Sequence, residues 1–216
     1  MSGDGGHAGN GALAAIVLAA GGASRFGSAK QAALYGGKAL VLHAVDAALA
    51  AGCERVIVVT GAHAAEVRQV LAQALPHNPK LSLVHNPNWP DGMSSSIAAG
   101  ATALLSEGIP ESTFVTLADQ PLVDAALLTR LDAARRAGRA GAAALAYPSG
   151  PGVPTCFSRN ALPLLRQLEA SEGGAKTLLR GGVLHVVTVD APDARRDVDT
   201  LADWHDLPRT PPPDRP

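Results

Sequence analysis

Short apolar runs alternate with longer stretches of helical composition from Ala14 to Val189, and that alternation limits the fold more than any other feature of the chain. Ala14–Ala20 is a continuous apolar run ending in glycines, which suits a strand buried on both faces of a parallel sheet. Arg55–Thr60 is β-branched, and Leu81–His85, Ser112–Leu117, Ala142–Ala146, Val153–Phe157 and His185–Val189 continue the series of expected strands. Between them lie expected helices at Leu40–Ala51, Ala62–Leu75, Ser94–Ser106, Pro121–Ala137, Ser158–Leu168 and Ala175–Arg180, with a last turn at Thr200–Asp206. Alternation of this kind implies an α/β fold: a single three-layer α/β/α domain with a mostly parallel sheet. Ligands of such folds bind at the carboxyl ends of the strands, where the loops gather.

Length and composition fit that reading. The chain has 216 residues, enough for one sizeable domain, and 47% of them are hydrophobic. Only 3% are aromatic, so the core must be built mostly from Ala, Val and Leu. A formal net charge of −1 supplies no strong field to attract nucleic acid or an anionic membrane. No run approaches the roughly 18 apolar residues of a membrane span. The Gly-rich start lacks a positive n-region, and Cys53 and Cys156 have no metal or redox spacing, so a reduced, cytoplasmic protein is expected. The expected division is a disordered segment over 1–12, a domain over 13–206 and a Pro-rich tail over 207–216.

The first expected strand runs into L-A-A-G-G-A-S-R-F-G-S-A-K-Q, Leu18 to Gln31. A Walker A loop would need a lysine directly after Gly27, where Ser28 stands, and G-x-G-x-x-G is absent. The second strand also ends without the acidic residue that holds a dinucleotide ribose. Small residues at 19–23, Ala19, Ala20, Gly21 and Gly22 among them, still let backbone N–H groups approach an anion. Arg25 could then grip phosphate oxygens in a fork while Lys30 adds a point charge. The alternative is a plain strand–helix turn with both cations solvated.

Four further segments stand out. Asp119 follows the Ser112–Leu117 strand and so shares the edge of the glycine loop, as a metal ligand or as the cap of a helix starting near Pro121. Asp197 and Asp199 lie two apart, on one side if extended, while Thr200 and Asp203 form a capping-box variant. The run Asn86–Ser96 breaks the chain and puts three serines at a helix start, where at least one would serve as an N-cap. Tyr147–Pro154 reads as a proline–glycine turn between strands.

The glycine loop resembles the signature of the molybdopterin-cofactor nucleotidyltransferases, L-A-A-G-x-x-x-R-[FM]-G-x-x-K, at Leu18, Ala19, Ala20, Gly21, Arg25, Phe26, Gly27 and Lys30. The resemblance extends from about Leu13 to Asp206 and implies a Rossmann-like nucleotidyltransferase fold. It implies a loop wrapped on a nucleotide triphosphate, with Arg25 and Lys30 offsetting charge on the phosphates and leaving pyrophosphate. It makes Asp119 a ligand of Mg²⁺, or of Mn²⁺ in its place, and Asp199, ahead of Asp197, a second ligand. N-P-x-W-x-x-G-M-S-S-S-I is similar to the cytidylyl-transferring branch, which brings Gly92 and Ser96 to the nucleotide, and Ala20 replaces a glycine usual in guanylyl-transferring relatives. The implied reaction moves CMP from CTP to the terminal phosphate of molybdopterin, making cofactor for a molybdenum hydroxylase of the xanthine dehydrogenase type. Gly150–Pro154 matches the family's acceptor loop only in part, and Glu172 stands where the family has Asp. A sugar or polyol phosphate acceptor, an oxidoreductase and a non-catalytic cofactor chaperone are the alternatives.

Overall fold

The computed structural model describes residues 12–22, 29–168 and 173–208. Arg25, Glu172, the expected disordered start through residue 11 and the tail from residue 209 lie outside them. β1 (Leu13–Ala19) is followed by a hairpin of β2 (Leu34–Tyr35) and β3 (Lys38–Ala39), then α1 (Leu40–Ala50), β4 (Cys53–Thr60), α2 (Ala64–Ala74) and β5 (Leu81–His85). Next come α3 (Met93–Ser106), β6 (Ser112–Leu117), α4 (Ala125–Ala137), β7 (Ala142–Tyr147) and β8 (Gly150–Ser158). The chain continues through α5 (Leu162–Arg166), α6 (Lys176–Arg180), β9 (Val186–Val189) and α7 (Leu201–His205).

Seven strands make one sheet in the order β5-β4-β1-β6-β8-β7-β9. Parallel pairing joins β5 to β4, β4 to β1, β1 to β6 and β7 to β9, while β8 runs antiparallel to both its neighbours. From β1 the chain builds outward through β4 to β5, then returns to lay β6 on the other side of β1. Strand order therefore reverses between β1 and β6, and the loops leaving those two strands diverge to open a crevice.

β1 shows why the three layers hold. Its alternating side chains divide between two cores: Ala15, Val17 and Ala19 pack under α1, α2 and α4, and Ala14, Ile16 and Leu18 under α3, α5 and α6. Small residues bring the layers close. A Cβ on Gly100 of α3 would lie 2.5 Å from Ile16 Cγ2, so the helix rests directly on the strand.

Several boundaries differ from expectation for physical reasons. α4 begins at Ala125, not Pro121, because Asp124 supplies the cap by accepting from Leu127 N at 2.8 Å. Asp119 is therefore not a helix cap. The serines do not cap α3: Gly92 is its N-cap, without a side-chain cap bond, at φ +101°, a conformation that suits glycine. The expected helix at 158–168 shrinks to a 3₁₀ turn, Arg159–Ala161, and α5. The β2–β3 hairpin was not anticipated, although Gly36-Gly37, both at positive φ, is its turn. Thr200 and Asp203 do form the expected capping box on α7. Among the described residues no helix is long and apolar enough to cross a membrane.

Candidate active site

The crevice between β1 and β6 holds a cleft of about 540 Å³, on the scale of small-molecule sites. Ala20, Gly21, Gly22, Lys30, Gly92, Ser96, Asp119 and Asp199 all line it, so the structure brings together sequence candidates from four separate segments. Ala19 does not line it; its methyl belongs to the core beneath α1. Gln31, in the 3₁₀ turn Lys30–Ala32, braces the glycine loop by donating from Nε2 to Gly21 O at 2.8 Å.

Lys30 is the charge centre. It is 7% exposed, and its Nζ lies 2.7 Å from Asp119 Oδ2, 2.7 Å from Asp199 Oδ1 and 2.9 Å from Val198 O. Burial favours the neutral amine, but the Asp119 and Asp199 carboxylates overcome it and hold the Lys30 pKa above the usual lysine value. The segment carrying Asp199 is tied down by its own backbone, since Val198 N donates to Asp119 O at 2.9 Å and the Val198 side chain is fully buried. The balance at this point is thus one cation against two carboxylates, which leaves a net negative charge.

Among the described residues no group of three or more His, Cys, Asp or Glu gathers to hold a metal. A magnesium-type site does not need one, because such ions are commonly held by one or two carboxylates plus substrate phosphates and water. Asp119 and Asp199 meet that description. Their oxygens already converge on one positive centre, and the other oxygen of Asp119, Oδ1, is buried without a hydrogen-bond partner. The donor set is all oxygen, which suits a hard divalent cation.

A second cleft, of about 220 Å³, adjoins the first and shares Met93 and Leu117 with it. The Tyr147–Pro154 segment forms the β7–β8 turn and contributes Tyr147, Ser149, Gly150, Pro151, Gly152 and Val153 to its wall. Asp197 lines this cleft and Asp199 the first, so the two carboxylates serve different spaces despite their spacing. Gln120 Nε2 donates to Asp197 Oδ1 at 2.6 Å and to Tyr147 Oη at 2.9 Å, and Tyr147 Oη donates to Val153 O at 2.6 Å. Asp197 is exposed as a residue, yet its carboxyl group is partly enclosed. That desolvation, reinforced by the charges of Asp119 and Asp199 and opposed by the Gln120 bond, pushes it up to about 6.

Sequence reasoning missed Gln31, Trp89, Gln120 and Tyr147 as parts of the site. Gln120 and Tyr147 act through long-range contacts that no local pattern reveals. Trp89 had a signal: it stands inside the Asn86–Ser96 motif, which was read for its glycine and serine. Ser96 itself is 4% exposed and accepts from Asn86 Nδ2 at 3.0 Å.

A family model described as a MobA-like NTP transferase domain matches residues 15–197. The chain is 31% identical over 200 residues to nicotine blue oxidoreductase of Paenarthrobacter nicotinovorans, covering 89% of this chain and 94% of that protein. Rv0371c of Mycobacterium tuberculosis H37Rv superposes with a TM-score of 0.71 at 25% identity, covering 90% of this chain and 96% of that one. Molybdopterin-guanine dinucleotide biosynthesis protein A of Archaeoglobus fulgidus, 17% identical, shares the fold with a TM-score of 0.63 over 89% of this chain and 95% of its own. The family match runs from within β1 to Asp197, two residues short of Asp199, and by it this chain belongs to the MobA-like NTP transferase family as a nucleotidyltransferase.

Proposed function

We propose that the protein transfers CMP from CTP to the terminal phosphate of molybdopterin and releases pyrophosphate. The observation that carries the reading is the convergence of Lys30, Asp119 and Asp199 beside the bare backbone of Gly21 and Gly22, at the carboxyl ends of β1 and β6. One cation, two carboxylates and open backbone suit a triphosphate accompanied by a divalent cation, and suit a dinucleotide redox cofactor poorly. The cytidylyl assignment rests on Ala20 in the glycine loop and on the Gly92–Ser96 segment, both lining the cleft. The adjoining cleft, with Tyr147, Gly150 and Lys176 on its wall, is the space for the acceptor.

In this reading Gly21 and Gly22 present the backbone to the phosphates, and Arg25 and Lys30 stabilise charge as it moves toward the leaving group. Asp119 and Asp199 would hold Mg²⁺ or Mn²⁺, which supplies charge neutralisation on phosphate oxygens. A structure of the Mycobacterium tuberculosis relative is described as a complex with manganese. A terminal phosphate oxygen of the acceptor forms a bond to the α-phosphorus of CTP. The bond from that phosphorus to the bridging oxygen breaks, and pyrophosphate leaves with the electron pair. No covalent protein nucleophile is required, since alignment and electrostatics carry such transfers.

Pyrophosphate release is measured with molybdopterin, Mg²⁺ and each of the four nucleoside triphosphates in turn, with the product weighed by mass spectrometry. Release with CTP and a product heavier by one CMP unit support the proposal; release with GTP alone overturns its cytidylyl part. Release with CTP on a sugar or polyol phosphate, and none on molybdopterin, moves the acceptor elsewhere. The 31% identity to an oxidoreductase favours one second reading, a reduction of a substrate bound in the second cleft. Consumption of NADH or NADPH on substrate addition, without pyrophosphate, would select it.

A further inference from the structure

Trp89 has no part in the reaction as described, yet the fold makes a deliberate seat for it. Its indole lies across two glycines from different loops. A Cβ on Gly61, which follows β4, would come within 2.7 Å of Trp89 Cγ and 2.5 Å of Ala20 O. A Cβ on Gly22 would meet the far edge of the six-membered ring at 3.2 Å. Any larger residue at Gly61 would therefore push the indole off the glycine loop.

The segment holding Trp89 is pinned from below. Asn86 is 3% exposed; its backbone N donates to Thr60 O at 2.8 Å, and its Nδ2 donates to Ser95 Oγ at 2.9 Å and Ser96 Oγ at 3.0 Å. Asn86 Oδ1 accepts from Asn88 N at 3.0 Å, one residue before the 3₁₀ turn Trp89–Asp91. These bonds fix the turn against β4 and the start of α3, so the indole is placed by the backbone of three elements. It remains half-buried and lines the larger cleft together with Pro90, Gly92 and Ser96.

Sheet order gives the cleft a direction. Gly61 leaves β4, Gly21 and Gly22 leave β1, and Asp119 leaves β6, and these three strands lie side by side. At a strand spacing of about 4.8 Å, the ends of β4 and β6 are separated by roughly 10 Å, and the indole reaches from the β4 side onto Gly22 of the glycine loop that lies between them. One end is aromatic and small-residue, the other ionic. A nucleotide has the same polarity, an aromatic base at one end and phosphates at the other.

We propose that Trp89 is the aromatic wall on which the nucleobase of the substrate packs, and thus a binding residue of the larger cleft. The inference rests on the nucleotide reading of that cleft and adds to it a named aromatic contact for the base. Packing on an indole is tolerant of base identity, so Trp89 contributes affinity for any base, while Ser96 and Ala20 lie where a base edge would be read.

The chain has two tryptophans, Trp89 and Trp204, so Trp204→Phe leaves Trp89 as the single indole reporter. That variant is titrated with CTP and with inorganic tripolyphosphate, each with Mg²⁺, while Trp89 fluorescence is recorded. CTP should quench it, and tripolyphosphate, which lacks a base, should displace CTP and restore the signal. In parallel, Trp89→Ala should weaken CTP binding about tenfold or more, and Trp89→Phe should recover most of the loss. Both should leave tripolyphosphate affinity unchanged. Equal weakening of CTP and tripolyphosphate in Trp89→Ala would make the indole a mere brace for the glycine loop and overturn the proposal, as would CTP binding without quenching. If neither ligand binds the unsubstituted protein, the nucleotide reading itself fails and the proposal with it.

Discussion

Replacing Lys30 by methionine removes the cation that holds Asp119 and Asp199 together while keeping a side chain of similar length. Each carboxylate oxygen lies 2.7 Å from Nζ, which corresponds to about 6 kcal/mol of gross attraction per pair at an effective dielectric of about 20. Burying the ammonium offsets much of that, and the Asp199 side chain is 53% exposed, so water screens its share. The net loss should fall just under the roughly 3–5 kcal/mol of a broken buried pair, at about 2–3 kcal/mol. For a domain of this size that is a fall in Tm of about 4–12 °C. A divalent cation bound by the two freed carboxylates at a hundred times its Kd would return about 2.7 kcal/mol. In the wild type the same ion must displace the ammonium, so its stabilisation is smaller. The assay is thermal unfolding of both proteins in EDTA and in saturating Mn²⁺. The reasoning predicts a large deficit in EDTA that mostly disappears with Mn²⁺. A variant equal to the wild type in EDTA, or a wild type stabilised by Mn²⁺ as much as the variant, would refute it.

Gly100→Ala forces a methyl to within 2.5 Å of Ile16 Cγ2 and 3.1 Å of Val59 Cγ2, so α3 must lift from the sheet; a loss of about 1–3 kcal/mol is expected in urea unfolding. At the opposite edge from the clefts, Asp132 sits among Ser112, Arg135 and Arg136. Burial alone would raise its pKa, but the Ser112 and Arg136 hydrogen bonds and both guanidinium charges carry it below the usual carboxylate value. Its contribution is full above the unfolded pKa of about 3.9 and is lost as pH falls through the lower folded value. Asp132→Asn should therefore lower the urea midpoint at neutral pH and flatten its decline below about pH 4 relative to the wild type. An unchanged acid limb would show that other carboxylates govern it.

Much of this fold was legible because the signals are local. The apolar run at Ala14–Ala20 has no polar face, and a strand buried between two helical layers can carry none. Leu81–His85 and Ser112–Leu117 were located to the residue, since proline, glycine and serine punctuate them closely. The expected start of α4 at Pro121, with Asp119 as its cap, falls short because a turn through Gln120–Val123 intervenes and Asp124 caps the helix instead. In the candidate site, Lys30 and Asp119 could be put on one edge from strand order alone, but not in contact. That contact, and the Asp199 bond beside it, spans up to 169 positions of chain. Gln120 was hidden for a related reason, as its role lies in the Asp197 and Tyr147 groups it joins, both distant in sequence.

The proposed function requires that a triphosphate be cut at the Lys30–Asp119–Asp199 centre. The most direct measurement is the rate of pyrophosphate release from CTP with Mg²⁺ and molybdopterin, for the wild type and for Asp119→Asn, at CTP concentrations saturating for each. The account predicts release by the wild type and a fall in kcat of about a hundredfold or more in the variant, since a charge that acts on the transferring phosphate is lost. Undiminished release by Asp119→Asn would contradict it.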